Sequence, residues 1–281
     1  MKQLSYYEKR DLKNMQMIGN YLQKLPTYCY DFFTGIENNT SSLTRLNYAM
    51  DLSVFFDYLE KYVFRKPKTD ISLQDLDTLK AKNIENFLSY LSYYQIDDKL
   101  LKNTERGKAR KLASVRSFFK YLFNHDMLIS NVASKVQTPK LHNKEIIRLE
   151  KDEVDRMLDA VQAPTFFTER QKRYNKNTQE RDNAIVTLFL GTGIRISELV
   201  GLNVDDFDFA QYAFKVTRKG GNQAILYFSK EVADALEKWL EKRKTLKLDE
   251  NEKAMFVSLQ NRRICVRAVE NLVKKYAKEG S

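Results

Sequence analysis

Apolar residues recur along the first half of the chain at the spacing of buried helix faces. In SSLTRLNYAMDLSVFFDYLEKY, Tyr48, Leu52, Phe55 and Leu59 fall at i, i+4, i+7 and i+11. One helix face carries all four, and Ser41 or Ser42 supplies the hydroxyl that caps its first amides. The same repeat puts Ile84, Phe87, Leu88 and Leu91 on one stripe, and Leu112, Val115, Phe119 and Leu122 on another. Such stripes predict an all-helical first domain.

Periodicity lapses in SNVASKVQTPKLHNKEIIRLEKDEV, where Pro139 breaks the backbone pattern and a new helix begins near Glu150. This places a linker at residues 137–147, between a first domain at 1–138 and a second at 148–281. YAFKVTRKGGNQAILYFS then holds two β-prone runs around Gly220 and Gly221, a hairpin signal absent elsewhere in the chain. AMFVS, residues 254–258, offers a further strand. Helical runs surround these: RDNAIVTLFL before, SKEVADALEKWLEKR after, and VRAVENLVKKYAK last, where Val269, Leu272, Val273 and Tyr276 repeat at helical spacing. The fold class is mainly α, with a small antiparallel sheet in the second domain.

Composition supports long helices and two cores: 281 residues are 43% hydrophobic, with only 9 Gly and 4 Pro. Charge narrows the partner. A formal net charge of +11 and a pI near 9.3 point to a polyanion, with nucleic acid ahead of an anionic membrane surface. Cys29 and Cys265 have no CxxC spacing, so neither a disulfide framework nor a zinc site is signalled, and a reducing cytoplasm fits. The charged N-terminal stretch and the lack of any apolar run near the roughly 18 residues of a spanning helix predict a protein without a membrane.

The positive charge is concentrated. Residues 101–140 hold nine basic side chains against two acidic ones. In RGKARKLASVRSFF, Arg106, Arg110, Ser114 and Ser117 follow a helical repeat opposite the apolar stripe, an expected exposed face of phosphate donors. Lys111, Lys120 and Lys135 add to it, and Arg45 in TSSLTRLNYAM is counted with the expected DNA-binding residues. A merely solvated face is the alternative for any single charged helix. Membrane binding would need exposed apolar groups beside the charge, and those in this region are required by the core.

Arg195 lies in GTGIRISELVGL, after an apolar helix and between glycines. Gly191 and Gly193 should let the chain turn there, and Ile196, Leu199 and Val200 should bury the next helix, leaving Arg195 beside exposed amides suited to an anion. The competing role is an ion pair with Asp205 or Asp206. RDNAIVTLFLGTGIRISELVGLNVDDFDF resembles the first catalytic box of the tyrosine site-specific recombinases, the integrase and Xer family, in which an apolar helix, T-G-x-R and S-E-L occur together. TSSLTRLNYAMDLSVFFDYL and RKLASVRSFFKYLFNHDMLISNVASKV resemble that family's SAM-like core-binding domain, and TRKGGNQAILYFS its catalytic hairpin. The resemblance covers most of the chain.

It implies site-specific DNA recombination or integration, in chromosome-dimer resolution or in a mobile element. A tyrosine attacks a DNA phosphodiester to give a 3'-phosphotyrosine and a 5'-hydroxyl, with no metal or nucleotide cofactor. Arg195 would neutralise charge on the phosphorus, and Lys219, by its place in the hairpin, would protonate the leaving oxygen. Double-stranded DNA would be the partner, with self-association as a tetramer on DNA in the complete protein.

The sequence departs from the family at its second box, His-x-x-Arg followed by His or Trp and then the tyrosine. His125 is followed three residues on by Leu128 and His142 by Glu145, and Tyr276 belongs to an apolar stripe. The expectation is therefore a recombinase chain truncated before that box, which binds DNA without cleaving it; the alternative is a non-catalytic protein that occupies or regulates a recombination site. Glu198 and Asp205 are expected to be structural. TERQKRYNKNTQERD, residues 168–182, is either an added phosphate-contacting loop or disordered.

Overall fold

The computed structural model describes residues 4–96, 99–142, 150–162, 168–218 and 220–280. The chain divides into two compact units, residues 1–145 and 146–281. Residues 143–147 of the expected linker lie outside the described residues.

The first unit contains α1 (Tyr6–Leu22), α2 (Tyr28–Gly35), α3 (Ser42–Tyr58), α4 (Leu73–Thr78), α5 (Ala81–Tyr90) and α6 (Glu105–Asn124). Ser41 caps α3, its hydroxyl accepting from the Thr44 amide, and α3 continues into a π-helical turn at Leu59–Phe64. The predicted stripes meet in one core: Leu52, Phe55, Leu59, Ile84, Phe87, Leu112 and Phe119 are fully buried. Aromatic rings bind the helices together, with Phe55 and Phe87 at 5.0 Å and Phe32 and Phe118 at 5.3 Å, each edge to face. Each buried ring is worth roughly 1.5–3 kcal/mol, more than a typical surface ion pair.

This helical unit also has an unexpected feature, the short hairpin of β1 (Tyr94–Ile96) and β2 (Lys99–Leu101). Its strands are three residues each, too brief for an alternating pattern to register in sequence.

The second unit comprises α7 (Lys151–Gln162), α8 (Glu169–Thr192), α9 (Ile196–Leu199), α10 (Lys230–Lys244) and α11 (Val266–Gly280), with β3 (Phe207–Asp208), β4 (Ala213–Thr217) and β5 (Gln223–Tyr227) in one antiparallel sheet of order β3-β4-β5. The expected hairpin is β4–β5, paired from Ala213↔Tyr227 to Thr217↔Gln223. Gly220 and Gly221 take φ of 89° and 84°, the region that L side chains avoid.

Residues 254–258 do not form a strand. Two isolated bridges, Asn203↔Ala254 and Val257↔Arg263, hold that segment, because its backbone pairs with irregular chain on both sides. Residues 169–182 are not a loop either; they are the first part of α8. Asn175, Thr178 and Asp182 are buried there among polar partners rather than solvated.

Candidate functional site

Arg195 sits where α8 gives way to α9. Gly193 has φ +63° and donates its amide to the Phe189 carbonyl at 2.9 Å, a left-handed residue that ends α8. Gly191 has a different part from the one expected: it lies inside α8, where a Cβ would come within 2.6 Å of a Val232 methyl on α10. Glycine there permits close packing of two helices rather than a turn.

Arg195 is the N-cap of α9, with φ −76° and ψ 147°. Its side chain is 67% exposed and its Nη1 donates to Glu198 Oε1 at 3.0 Å, while its own amide donates to Glu198 Oε2 at 3.1 Å. The partner is thus Glu198, not Asp205 or Asp206, and the Arg195 amide is not open to an anion. Glu198 is 4% exposed, so this carboxylate is a buried support for the arginine rather than an ordinary surface group.

Leu199 and Val200 are buried as predicted, whereas Ile196 is half-buried and lines an open apolar groove with Met157, Val186 and Phe189. Arg263 secures the chain beyond α9, donating through Nη1 to the Val200 and Leu202 carbonyls at 3.0 and 2.9 Å and through Nη2 to Asn203 Oδ1 at 2.6 Å. Nothing local in the sequence distinguishes Arg263, since its partners lie about 60 residues away. Lys219 lies outside the described residues.

Tyr276 is fully buried, and its hydroxyl donates to Asn175 Oδ1 at 2.8 Å, with Asp182 Oδ2 at 3.1 Å. Burial, then the Asp182 carboxylate, pushes the phenol well above the usual tyrosine range. The phenol is neutral and enclosed, a core group in the geometry as in the sequence pattern.

On α6 the exposed stripe differs by one position from expectation. Arg106, Arg110, Ala113 and Lys120 are exposed and Ser117 is half-buried, at spacings of four, three, four and three. Ser114 is 1% exposed and faces α3, where its hydroxyl donates to Asp51 Oδ2 at 2.7 Å. Lys111 is 7% exposed, 3.6 Å from the same carboxylate, and burial holds its ammonium below the usual lysine range against the opposing pull of Asp51.

Arg45 is also withdrawn from the surface: it is 8% exposed, donates to the Glu37 carbonyl at 2.7 Å and pairs with the Glu37 carboxylate at 3.1 Å. A buried cation without such partners would be costly, so Arg45, Lys111 and Ser114 are engaged inside the fold rather than standing on the exposed face expected of them. Lys135 is exposed at the end of a short 3-10 turn. Arg116 binds the Ala133 and Val136 carbonyls and the Thr138 hydroxyl, fastening the chain after α6 back onto it.

Two family models match the chain: the phage integrase N-terminal SAM-like domain over residues 31–125 and the phage integrase family over residues 147–281. Tyrosine recombinase XerC of Natranaerobius thermophilus is 30% identical over 255 residues, covering 89% of this chain and 76% of that protein. XerC of Caldanaerobacter subterraneus subsp. tengcongensis is 33% identical over 244 residues, 83% of this chain. The chain spans 63% of that relative's length.

Among solved structures, XerH recombinase bound to difH substrate aligns with TM-score 0.59 at 14% identity, covering all of this chain and 82% of that one. A lambda integrase tetramer bound to a Holliday junction aligns with TM-score 0.60 at 12% identity, covering 91% and 63%. These two likenesses establish the fold, a helical first unit and a mainly helical second unit with a small antiparallel sheet. The chain belongs to the tyrosine recombinase family.

Proposed function

We propose that these residues bind duplex DNA through the exposed face of α6 and present Arg195 to a DNA phosphate, as the DNA-binding part and one half of the active site of a site-specific recombinase. The observation that carries this is the α6 stripe itself: Arg106, Arg110, Ser117 and Lys120 follow one another along a single face, with Ala113 small enough at its centre to let a partner's backbone approach. Lys135 would extend the same contact. The XerH structure is bound to difH substrate and a lambda integrase structure to DNA, which supports DNA as the ligand, and the lambda integrase tetramer on a Holliday junction supports self-association of a complete protein on DNA.

Arg195 suits a phosphate on chemical grounds. Guanidinium stays charged at neutral pH and its planar fork matches two phosphate oxygens. Glu198 fixes one edge and leaves the exposed remainder of the group available. Lys219, which falls between β4 and β5 in sequence, would act as the acid that protonates the departing 5'-oxygen.

Strand cleavage also needs a His-x-x-Arg box and a nucleophilic tyrosine, and no such pair occurs within the 281 residues. Tyr276, buried against Asn175 and Asp182, does not replace that tyrosine.

Fluorescence anisotropy with duplex DNA over a series of salt concentrations tests the binding, and a nicked substrate that traps covalent complexes tests the chemistry. Salt-sensitive binding without a 3'-phosphotyrosine adduct is expected. Absence of duplex binding refutes the proposal, and an adduct on Tyr276 refutes its chemical half.

A further inference from the structure

Behind the exposed face of α6 lies a buried carboxylate. Asp51 of α3 is 1% exposed. Its Oδ2 accepts from Arg110 Nη1 at 2.6 Å and from Ser114 Oγ at 2.7 Å, and Lys111 Nζ stands 3.6 Å from Oδ1. Three side chains of one helix therefore converge on a single buried acid. Two of them, Lys111 and Ser114, are buried with it.

Arg110 differs, because its side chain is 50% exposed while one nitrogen reaches back to the carboxylate. Arg106 and Lys120, on the same face, have no such anchor among the described residues. An unanchored arginine samples many rotamers and loses that freedom when it grips a phosphate. Arg110 has one edge fixed beforehand, leaving Nε and Nη2 for a second acceptor in a geometry already set.

We propose that Asp51 is a positioning residue for DNA binding: it holds Nη1 of Arg110 so that the remaining edge of the guanidinium meets a backbone phosphate. The proposal rests on duplex DNA being the ligand of α6. Its sign opposes that of net charge. Removing the Asp51 charge makes the protein more positive, which by charge alone tightens binding to a polyanion. Loss of positioning weakens it.

The experiment compares the 281-residue wild type, Asp51→Asn, Arg110→Ala, the double variant and Arg110→Lys in duplex anisotropy across salt, with thermal melts recording which proteins are folded. Asp51→Asn should bind about tenfold more weakly, the loss expected for one charge-assisted contact. Its log-log salt slope should be shallower by about 0.9, one phosphate contact. The double variant should bind no worse than Arg110→Ala.

A purely structural Asp51 would lower the melting temperature and leave affinity and slope unchanged below the melt, which overturns the proposal, as do tighter binding or additive losses. If Asp51→Asn does not fold, Arg110→Lys decides. It keeps the charge and loses the fork, so binding close to that of Arg110→Ala supports positioning and wild-type binding overturns it. Failure of the wild type to bind duplex at any salt is a distinct result, which removes the DNA reading and the proposal with it.

Discussion

Arg195 Nη1 donates to Glu198 Oε1 at 3.0 Å across a boundary between solvent and core, the arginine 67% exposed and the glutamate 4% exposed. The asymmetry fixes what each substitution should do. Arg195→Ala leaves a buried carboxylate with only the residue-195 amide as donor, and should cost roughly 1–2 kcal/mol of stability. Glu198→Gln keeps an acceptor for that amide and should cost less than about 1 kcal/mol. Urea denaturation of the two variants checks the order; a larger loss for Glu198→Gln would contradict the pairing.

Gly193 adopts φ +63° at the end of α8, two residues before Arg195. Gly193→Ala should destabilise the second unit by about 1 kcal/mol, and Gly193→Asn by less, since asparagine tolerates the left-handed region better. Equal stability of the alanine variant and wild type would show that the turn is not required.

Tyr276 couples stability to alkaline pH. Its phenol pKa is raised in the folded state by burial, so the folded chain keeps the proton where an unfolded chain releases it. The stabilisation is fully present below the unfolded value of about 10 and declines as pH rises above it. Tyr276→Phe loses the bonds to Asn175 and Asp182, lowering neutral-pH stability by roughly 1–2 kcal/mol, and its stability should fall less steeply above pH ~10. An unchanged alkaline slope would place the phenol outside the core.

The helices were legible because burial on one side leaves a periodic mark, as Leu112, Val115, Phe119 and Leu122 show. Ser41 as a cap and the two glycines of the β4–β5 turn were legible for a similar reason: each is a local requirement of the backbone. What the sequence hid were contacts between distant residues. Ser114 and Ala113 differ by one helical step, and Ser114 is the inward one because Asp51 waits for it 63 residues earlier.

Periodicity alone cannot place the edge of a polar stripe. Asn175, Thr178 and Asp182 read as solvated because they are polar, yet Tyr276 on α11, about 100 residues on, bonds to Asn175 and Asp182, and Thr178 donates to Asp182. Glu198 carried no hint of burial, since a glutamate three residues after a helix start is also an ordinary cap.

The division of the chain into residues 1–145 and 146–281 predicts where proteases enter. Limited proteolysis should cut first within residues 137–147, and bound duplex should protect that stretch. Early cleavage elsewhere with this stretch intact would contradict the boundary.

The salt dependence of duplex binding by the Arg106→Glu, Arg110→Glu, Lys120→Glu triple variant decides whether α6 holds DNA by its phosphates. If α6 grips phosphates, the wild-type log-log slope is steep and the variant's is shallower by about 0.9 for each phosphate no longer gripped, near 2.7 for three, with affinity reduced about equally for every DNA sequence. A variant that remains folded and keeps the wild-type slope and affinity would show that α6 does not contact the DNA.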